Sequence, residues 1–279
     1  MNARAMNARA VAAWSLAALT ISLSSGNPVY RLLVLLAALN VLIAYRRSGA
    51  HVKPIVVAVV FSGVIALLIT SLFSHTGTDS LVSLPAGVPG IGGHITLEAV
   101  VFGFHTALGI ASAVFAAAAL STVIAPHELV DALPPFLART GAALGTSLNF
   151  VPSIARSAGG IRDAQRLRGW RPGRLRDWPD LAVPVVLSAL EDSLALAEAM
   201  EARGYGATAR THFLAARWTR NDTLVASLSA AGAAAFVVLR IAGAVTDWYP
   251  FPTLSVPPVN IAAVACCLTL ASPLVLWRR

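Results

Sequence analysis

Apolar residues occur in runs of membrane length along this chain, split by short polar breaks and by one long polar interval. Residues 11–23 and 29–45 are the first two runs, divided by Ser24-Ser25-Gly26-Asn27-Pro28. Residues 55–73, 97–124, 224–245 and 257–277 follow. A spanning helix needs about 20 mostly apolar residues. The first two runs fall below that length and predict either a tight hairpin or a partly re-entrant pair, whereas the other four reach or approach it. The pattern predicts an all-α, polytopic membrane protein with about six transmembrane helices. Residues 125–221 interrupt it, an interval far longer than the ~4–6 residues of an ordinary connection, so it should have structure of its own. Residues 126–137 predict a short helix or turn broken by Pro134-Pro135. Residues 142–168 predict a helix with Pro152 near its middle, and 180–203 a second long one. In the second, Leu187, Leu190, Leu194 and Ala197 share a face at three- and four-residue spacing. The chain thus divides into 1–124, 125–221 and 222–279, with transmembrane helices in the outer two parts.

Composition sharpens the class, and charge gives it a direction. The 279 residues are 57% hydrophobic and only 12% charged, where a soluble domain carries about 25% charge. The net charge of +8 points to membrane orientation rather than nucleic acid, because Lys and Arg collect in cytoplasmic segments. With the N-terminus in the cytoplasm, six crossings return the C-terminus there. Cytoplasmic segments then hold Arg4, Arg9, Arg46, Arg47, Lys53, Arg278, Arg279 and the cluster between Arg139 and Arg220, which has 12 of the 21 basic residues. The external segments 24–28, 74–96 and 246–256 contain no Lys or Arg. Arg31 and Arg240 fall inside helices near the outer side, where long side chains snorkel or, for Arg240, reach Asp247. Cys266 and Cys267 are adjacent in an apolar run and form no disulfide framework or metal-ligand spacing.

One pattern in the polar interval repeats. Ala164-Gln165-Arg166-Leu167-Arg168-Gly169-Trp170 returns in outline as Ala199-Met200-Glu201-Ala202-Arg203-Gly204-Tyr205, 35 residues later. Both copies read alanine, three residues, arginine, glycine, aromatic. A glycine directly after the last periodic residue predicts a helix C-cap. Arg168 and Arg203 then sit in the final turn, where the helix dipole favours a cation by ~0.3–1 kcal/mol. Capping alone accounts for one such copy; two matched copies point to a pair of helix ends built to present arginines to a partner. Small residues at Ala199 and Ala202 let that partner approach closely, and an arginine fork suits its carboxylate.

On these residues the chain resembles the transmembrane T component of energy-coupling-factor transporters, the family of the cobalt and biotin permeases. That family carries two short Ala-Arg-Gly motifs at the ends of two cytoplasmic coupling helices. Ala202-Arg203-Gly204 matches fully, while the first copy has Leu167 in the alanine position and keeps Arg168 and Gly169. The Asn27-Pro28 approach to an early helix and Pro184 with 187–189 also match. The resemblance implies a multi-pass subunit of the bacterial cytoplasmic membrane with both termini in the cytoplasm. It implies a non-catalytic chain without cofactor, coupled to two ABC-type ATPase subunits through Ala164, Leu167, Arg168 and Gly169 at one end and Ala199, Ala202, Arg203 and Gly204 at the other. A small integral-membrane substrate-binding S component would complete an importer for a vitamin or a transition-metal ion. In agreement, the chain has a single lysine, Lys53, and no Gly-x-x-x-x-Gly-Lys-Ser/Thr phosphate loop.

A rival reading rests on Glu98 and His105, seven residues apart near one face of the fourth long run. An intramembrane ionisable pair is a functional hypothesis by default, and would suit a self-sufficient secondary transporter or a membrane-embedded enzyme. The position of Glu98 close to the outer end predicts instead that it faces water.

Overall fold

The computed structural model describes residues 7–47, 49, 51–74, 77, 80–83, 94–132, 138–171, 177–204 and 218–277. They form two compact units, one made of 1–125 with 216–279 and the other of 126–215.

In the first unit, polar residues at the run boundaries start the helices. Asn7 opens α1 (Ala8–Ser24), its side chain accepting from Arg9 N. Asn27 opens α2 (Pro28–Tyr45), accepting from Val29 N at 3.0 Å. Pro28 at the first helical position sacrifices no intrahelical bond. Helix α3 (Val52–Phe73) leads to a small antiparallel ribbon, β1 (Ser80–Ser83) and β2 (His94–Thr96). In the sequence, 74–96 stands out only as an external segment without Lys or Arg. The ribbon is too short for its alternation to stand out, and only the cross-strand pairing reveals it. Thr96 ends β2 and caps α4 (Leu97–Val123), its Oγ1 accepting from Ala99 N. Helices α8 (Arg220–Ile241), α9 (Ile261–Thr269) and α10 (Ser272–Leu276) complete the unit. The start of α8 is a capping box, with Thr219 and Asp222 each bonding the other's backbone N–H.

Among the described residues, four helices, α2, α3, α4 and α8, are long and apolar enough to cross a membrane, and α1 is a shorter apolar helix of 17 residues. The first two helices do not form a tight hairpin on each other. Helix α1 packs chiefly against α8 and α4, and α2 against α4. Small residues on α4 permit this: Ser112, Ala116 and Ala119 are buried. Ser112 exchanges a hydrogen bond with Ser22 (2.6 Å), and Ser15 donates to the Ala116 carbonyl. At Gly103 an added Cβ would lie 3.0 Å from Leu67 Cα, so glycine sets how closely α3 and α4 approach.

The last apolar run, 257–277, does not form one helix. It breaks between α9 and α10, because Pro273 cannot donate to the carbonyl of Thr269 and disfavours helical backbone before it. The freed backbone is satisfied from other helices. Trp14 Nε1 donates to the Leu270 carbonyl (2.8 Å), Tyr45 Oη to the Pro273 carbonyl (3.0 Å), and Asn221 Nδ2 to the Leu276 carbonyl (2.6 Å). Trp277 Nε1 donates back to Asp222. Broken helices are tolerated in a membrane when neighbours supply such partners.

The second unit contains α5 (Pro126–Asp131), α6 (Ala138–Leu167) and α7 (Pro179–Ala202). Among the described residues, two polar contacts join α6 to α7. Ser157 and Ser188 hydroxyls lie 3.3 Å apart, and Gln165 Nε2 donates to the Asp180 carbonyl at 3.4 Å. Asp180 is four residues before Pro184, which has no N–H to give it, so α6 supplies the missing donor. The two contacts run in opposite senses along the helices, which makes the pair antiparallel. The apolar face of α7 is exposed at Leu187, Leu190 and Leu194.

Candidate functional site

Both repeated segments terminate helices in the same way. At the end of α6, Gly169 takes φ +87°. Its N–H bonds the Arg166 carbonyl, and Trp170 N–H reaches back to Gln165. Those two bonds make a Schellman cap. At the end of α7, Gly204 takes φ +73° and bonds the Glu201 carbonyl, the equivalent first bond of the same cap. Any other residue would be strained at either position. The stop signals in the sequence therefore have a conformational cause. The residue that would complete the second cap, Tyr205, lies outside the described residues.

The caps leave the arginines outward. Ala164, Leu167, Arg168 and Gly169 are exposed, as are Ala199, Ala202, Arg203 and Gly204. Among the described residues, neither guanidinium has a hydrogen bond or an ion pair. Leu167 is 91% exposed, an unusual place for a leucine. The antiparallel arrangement sends the two ends in opposite directions. Measured from the serine crossing at about 1.5 Å per residue, Arg168 and Arg203 lie roughly 40 Å apart along the hairpin. The two ends therefore cannot share one small ligand. Beside the first end, Gln165, Trp170, Pro179, Asp180, Val183 and Pro184 line one shallow groove.

A second polar group lies in the transmembrane unit and includes one half of the rival pair. His105 is 7% exposed, and its Nε2 lies 2.9 Å from Arg31 Nη1. A guanidinium only donates, so Nε2 accepts and Nδ1 carries the proton. Arg31 also donates Nε–H to the Ser25 carbonyl. The arginine does not snorkel as its position near a helix end suggested; the turn before α2 and a histidine from α4 hold it. Arg240 forms an ion pair with Asp247, and Asp247 accepts from Gly26 N–H at 2.8 Å. Phe102 stacks on His105, and Trp248 meets it edge-on. Glu98 is fully buried, with Gly77 packed against its Oε2, and does not face water. Its place at a helix start suggested solvent, but the side chain is buried and Gly77 lies against its carboxylate.

These contacts join the α1–α2 turn, α2, α4 and the segment after α8, which is the work of a structural knot. His105→Ala should strand a donor of Arg31 and cost ~1–3 kcal/mol, lowering the melting temperature of the purified protein. Uptake per folded molecule should stay unchanged. Unaltered melting with lost uptake would instead favour an intramembrane transport site.

Comparison with known proteins places the whole chain in context. A family model described as CbiQ, cobalt transport protein, matches residues 3–213. That stretch runs from α1 through both capped helix ends. The energy-coupling factor transporter transmembrane protein EcfT of Bacillus selenitireducens is 26% identical over 227 residues, or 75% of this chain and 79% of its own length. The protein of the same name from Exiguobacterium sibiricum is 36% identical over 132 residues, 41% of this chain and 50% of its own. That of Listeria innocua is 34% identical over 128 residues, 39% and 48% respectively. In the last two comparisons this chain spans about half the length of the curated relative.

Proposed function

This chain belongs to the CbiQ cobalt transport protein family, and from that membership we propose that it is the transmembrane coupling component of an ATP-driven energy-coupling-factor importer. Its cargo would be a vitamin or a transition-metal ion. Two matched, exposed arginine ends on one antiparallel hairpin support this reading most directly. Each end would dock on a separate ABC-type ATPase subunit, Arg168 on one and Arg203 on the other, through a carboxylate that the fork of donors can bracket. A small integral-membrane S component would bind the cargo.

In this mechanism the hairpin acts as a lever. Movement of the ATPases during ATP hydrolysis shifts the two ends, and the α6–α7 contacts at Ser157–Ser188 and Gln165–Asp180 carry that shift along the pair. The hydrogen bond from Gln165 to the Asp180 carbonyl would stiffen the α6–α7 joint close to the first end. The chain itself contributes no reacting group. The similarity to proteins named as energy-coupling factor transporter transmembrane subunits supports the same assignment.

Affinity purification of the chain from native membranes should bring down two ATPase chains, identical or different, and one small membrane protein. Substrate uptake by the purified chain alone in liposomes, without ATP, would overturn the proposal and favour a secondary transporter. The orientation has its own test. Single cysteines at Ser80 and Thr208, in a background lacking Cys266 and Cys267, should react differently with a membrane-impermeant thiol reagent on intact cells. Position 80 should label and position 208 should not, as expected for cytoplasmic termini and a cytoplasmic polar interval.

A further inference from the structure

Leu167 and Ala202 occupy the same place in two similar helix ends. Each is the last helical residue, each directly precedes an exposed arginine, and each is followed by a glycine in the left-handed region. Ala202 offers a partner a methyl group. Leu167 offers a full isobutyl side chain that is 91% exposed. An apolar side chain held out beside an unpaired guanidinium, at a helix end fixed by a Schellman cap, has the form of an anchor. It combines a rigid position, a large apolar surface and a neighbouring charge that sets orientation.

We propose that Leu167 is an apolar anchor for the ATPase subunit that receives α6, and that the two ATPase docking sockets are unequal. The first socket would contain a leucine-sized apolar pocket beside its carboxylate. The second would be contoured to alanine and closed at that depth. The two ends of the hairpin are then not interchangeable, and this chain itself dictates which socket goes to which end. Two different ATPase chains meet this requirement directly; two identical chains meet it only if one socket opens on docking. The inference rests on the docking proposal above and adds the chemistry of each partner surface.

Exchange of the two side chains tests it. The chain is held in nanodiscs with its S component, and its own ATPases are titrated against it. Leu167→Ala should weaken ATPase binding about tenfold or more, from loss of buried apolar surface. Leu167→Met, similar in volume, should retain most of the affinity. Ala202→Leu should also weaken binding, because the second socket has no room. Wild-type affinity for Leu167→Ala, or equal or tighter binding by Ala202→Leu, would overturn the inference. So would a Leu167→Ala variant that loses the S component and keeps its ATPases. Leu167 is exposed and alanine is a stronger helix former, so loss of folding does not confuse the result. The double variant Arg168→Ala/Arg203→Ala separates the two levels. If it binds normally and also supports full ATP-dependent uptake, the docking proposal itself fails. If it fails to bind while Leu167→Ala is normal, only the unequal sockets fail.

Discussion

Arg203→Ala is expected to abolish most ATP-dependent uptake and to loosen the ATPase at that end, with Arg168→Ala showing the same defect in smaller degree. Removal of one member of a buried, hydrogen-bonded charge pair costs ~2–5 kcal/mol, largely because the other charge is stranded. An arginine that serves only the helix dipole contributes ~0.3–1 kcal/mol. These ranges differ enough for one experiment to separate them. The structure makes the substitution a clean probe, since the cap at α7 is formed by backbone bonds of Arg203 and Gly204 rather than by the guanidinium. The helix end should therefore survive the change. The asymmetry between the two ends is expected if Leu167 is the proposed anchor, because the first interface would keep an apolar component when Arg168 is lost. Subunit retention and uptake should be measured together on each purified variant. Retained association with lost uptake would mean that the arginines transmit force rather than supply affinity. Full uptake and stable association in the double variant would reduce them to helix caps.

Trp14→Ala should be the most destabilising single change in the transmembrane unit. Trp14 is completely buried and holds the Leu270 carbonyl at the break between α9 and α10. Truncation of a buried tryptophan to alanine costs ~3–5 kcal/mol through lost packing and the cavity left behind. The carbonyl would also lose its donor in a place where water cannot replace it. Trp14→Phe separates the two contributions by keeping most of the packing and removing only the hydrogen bond, for ~1–3 kcal/mol. Thermal unfolding of the detergent-purified proteins should order them wild type, then Phe, then Ala. Equal melting of Trp14→Phe and wild type would show that the broken helix does not depend on this donor.

The local elements of this protein are largely legible in its sequence. Apolar runs gave the long helices, because length and hydropathy are properties of a contiguous segment. Asn27-Pro28 marked the start of α2, and Gly169 and Gly204 marked the ends of α6 and α7, since caps depend on residues within one turn of each other. The repeated arginine–glycine pattern singles out those two ends within the sequence itself. The fate of individual polar groups was less legible. Arg31 finds His105, 74 residues away, and Trp14 finds Leu270, 256 residues away. Nothing in either neighbourhood indicates such a partner. The hydropathy of 257–277 looked continuous, and although Pro273 was visible, only packing against α1, α2 and α8 provides the donors that make a break tolerable. Glu98 looked like a helix-start residue facing water, yet it is buried with Gly77 against its carboxylate. The opposite directions of the two arginine ends also required the α6–α7 pairing. The sequence determined where helices begin, end and expose charge, because those choices are decided by neighbours along the chain. The tertiary structure decided which buried polar atoms meet and how far apart the two ends lie, because in an apolar interior each such atom must find a partner wherever the fold brings one within reach.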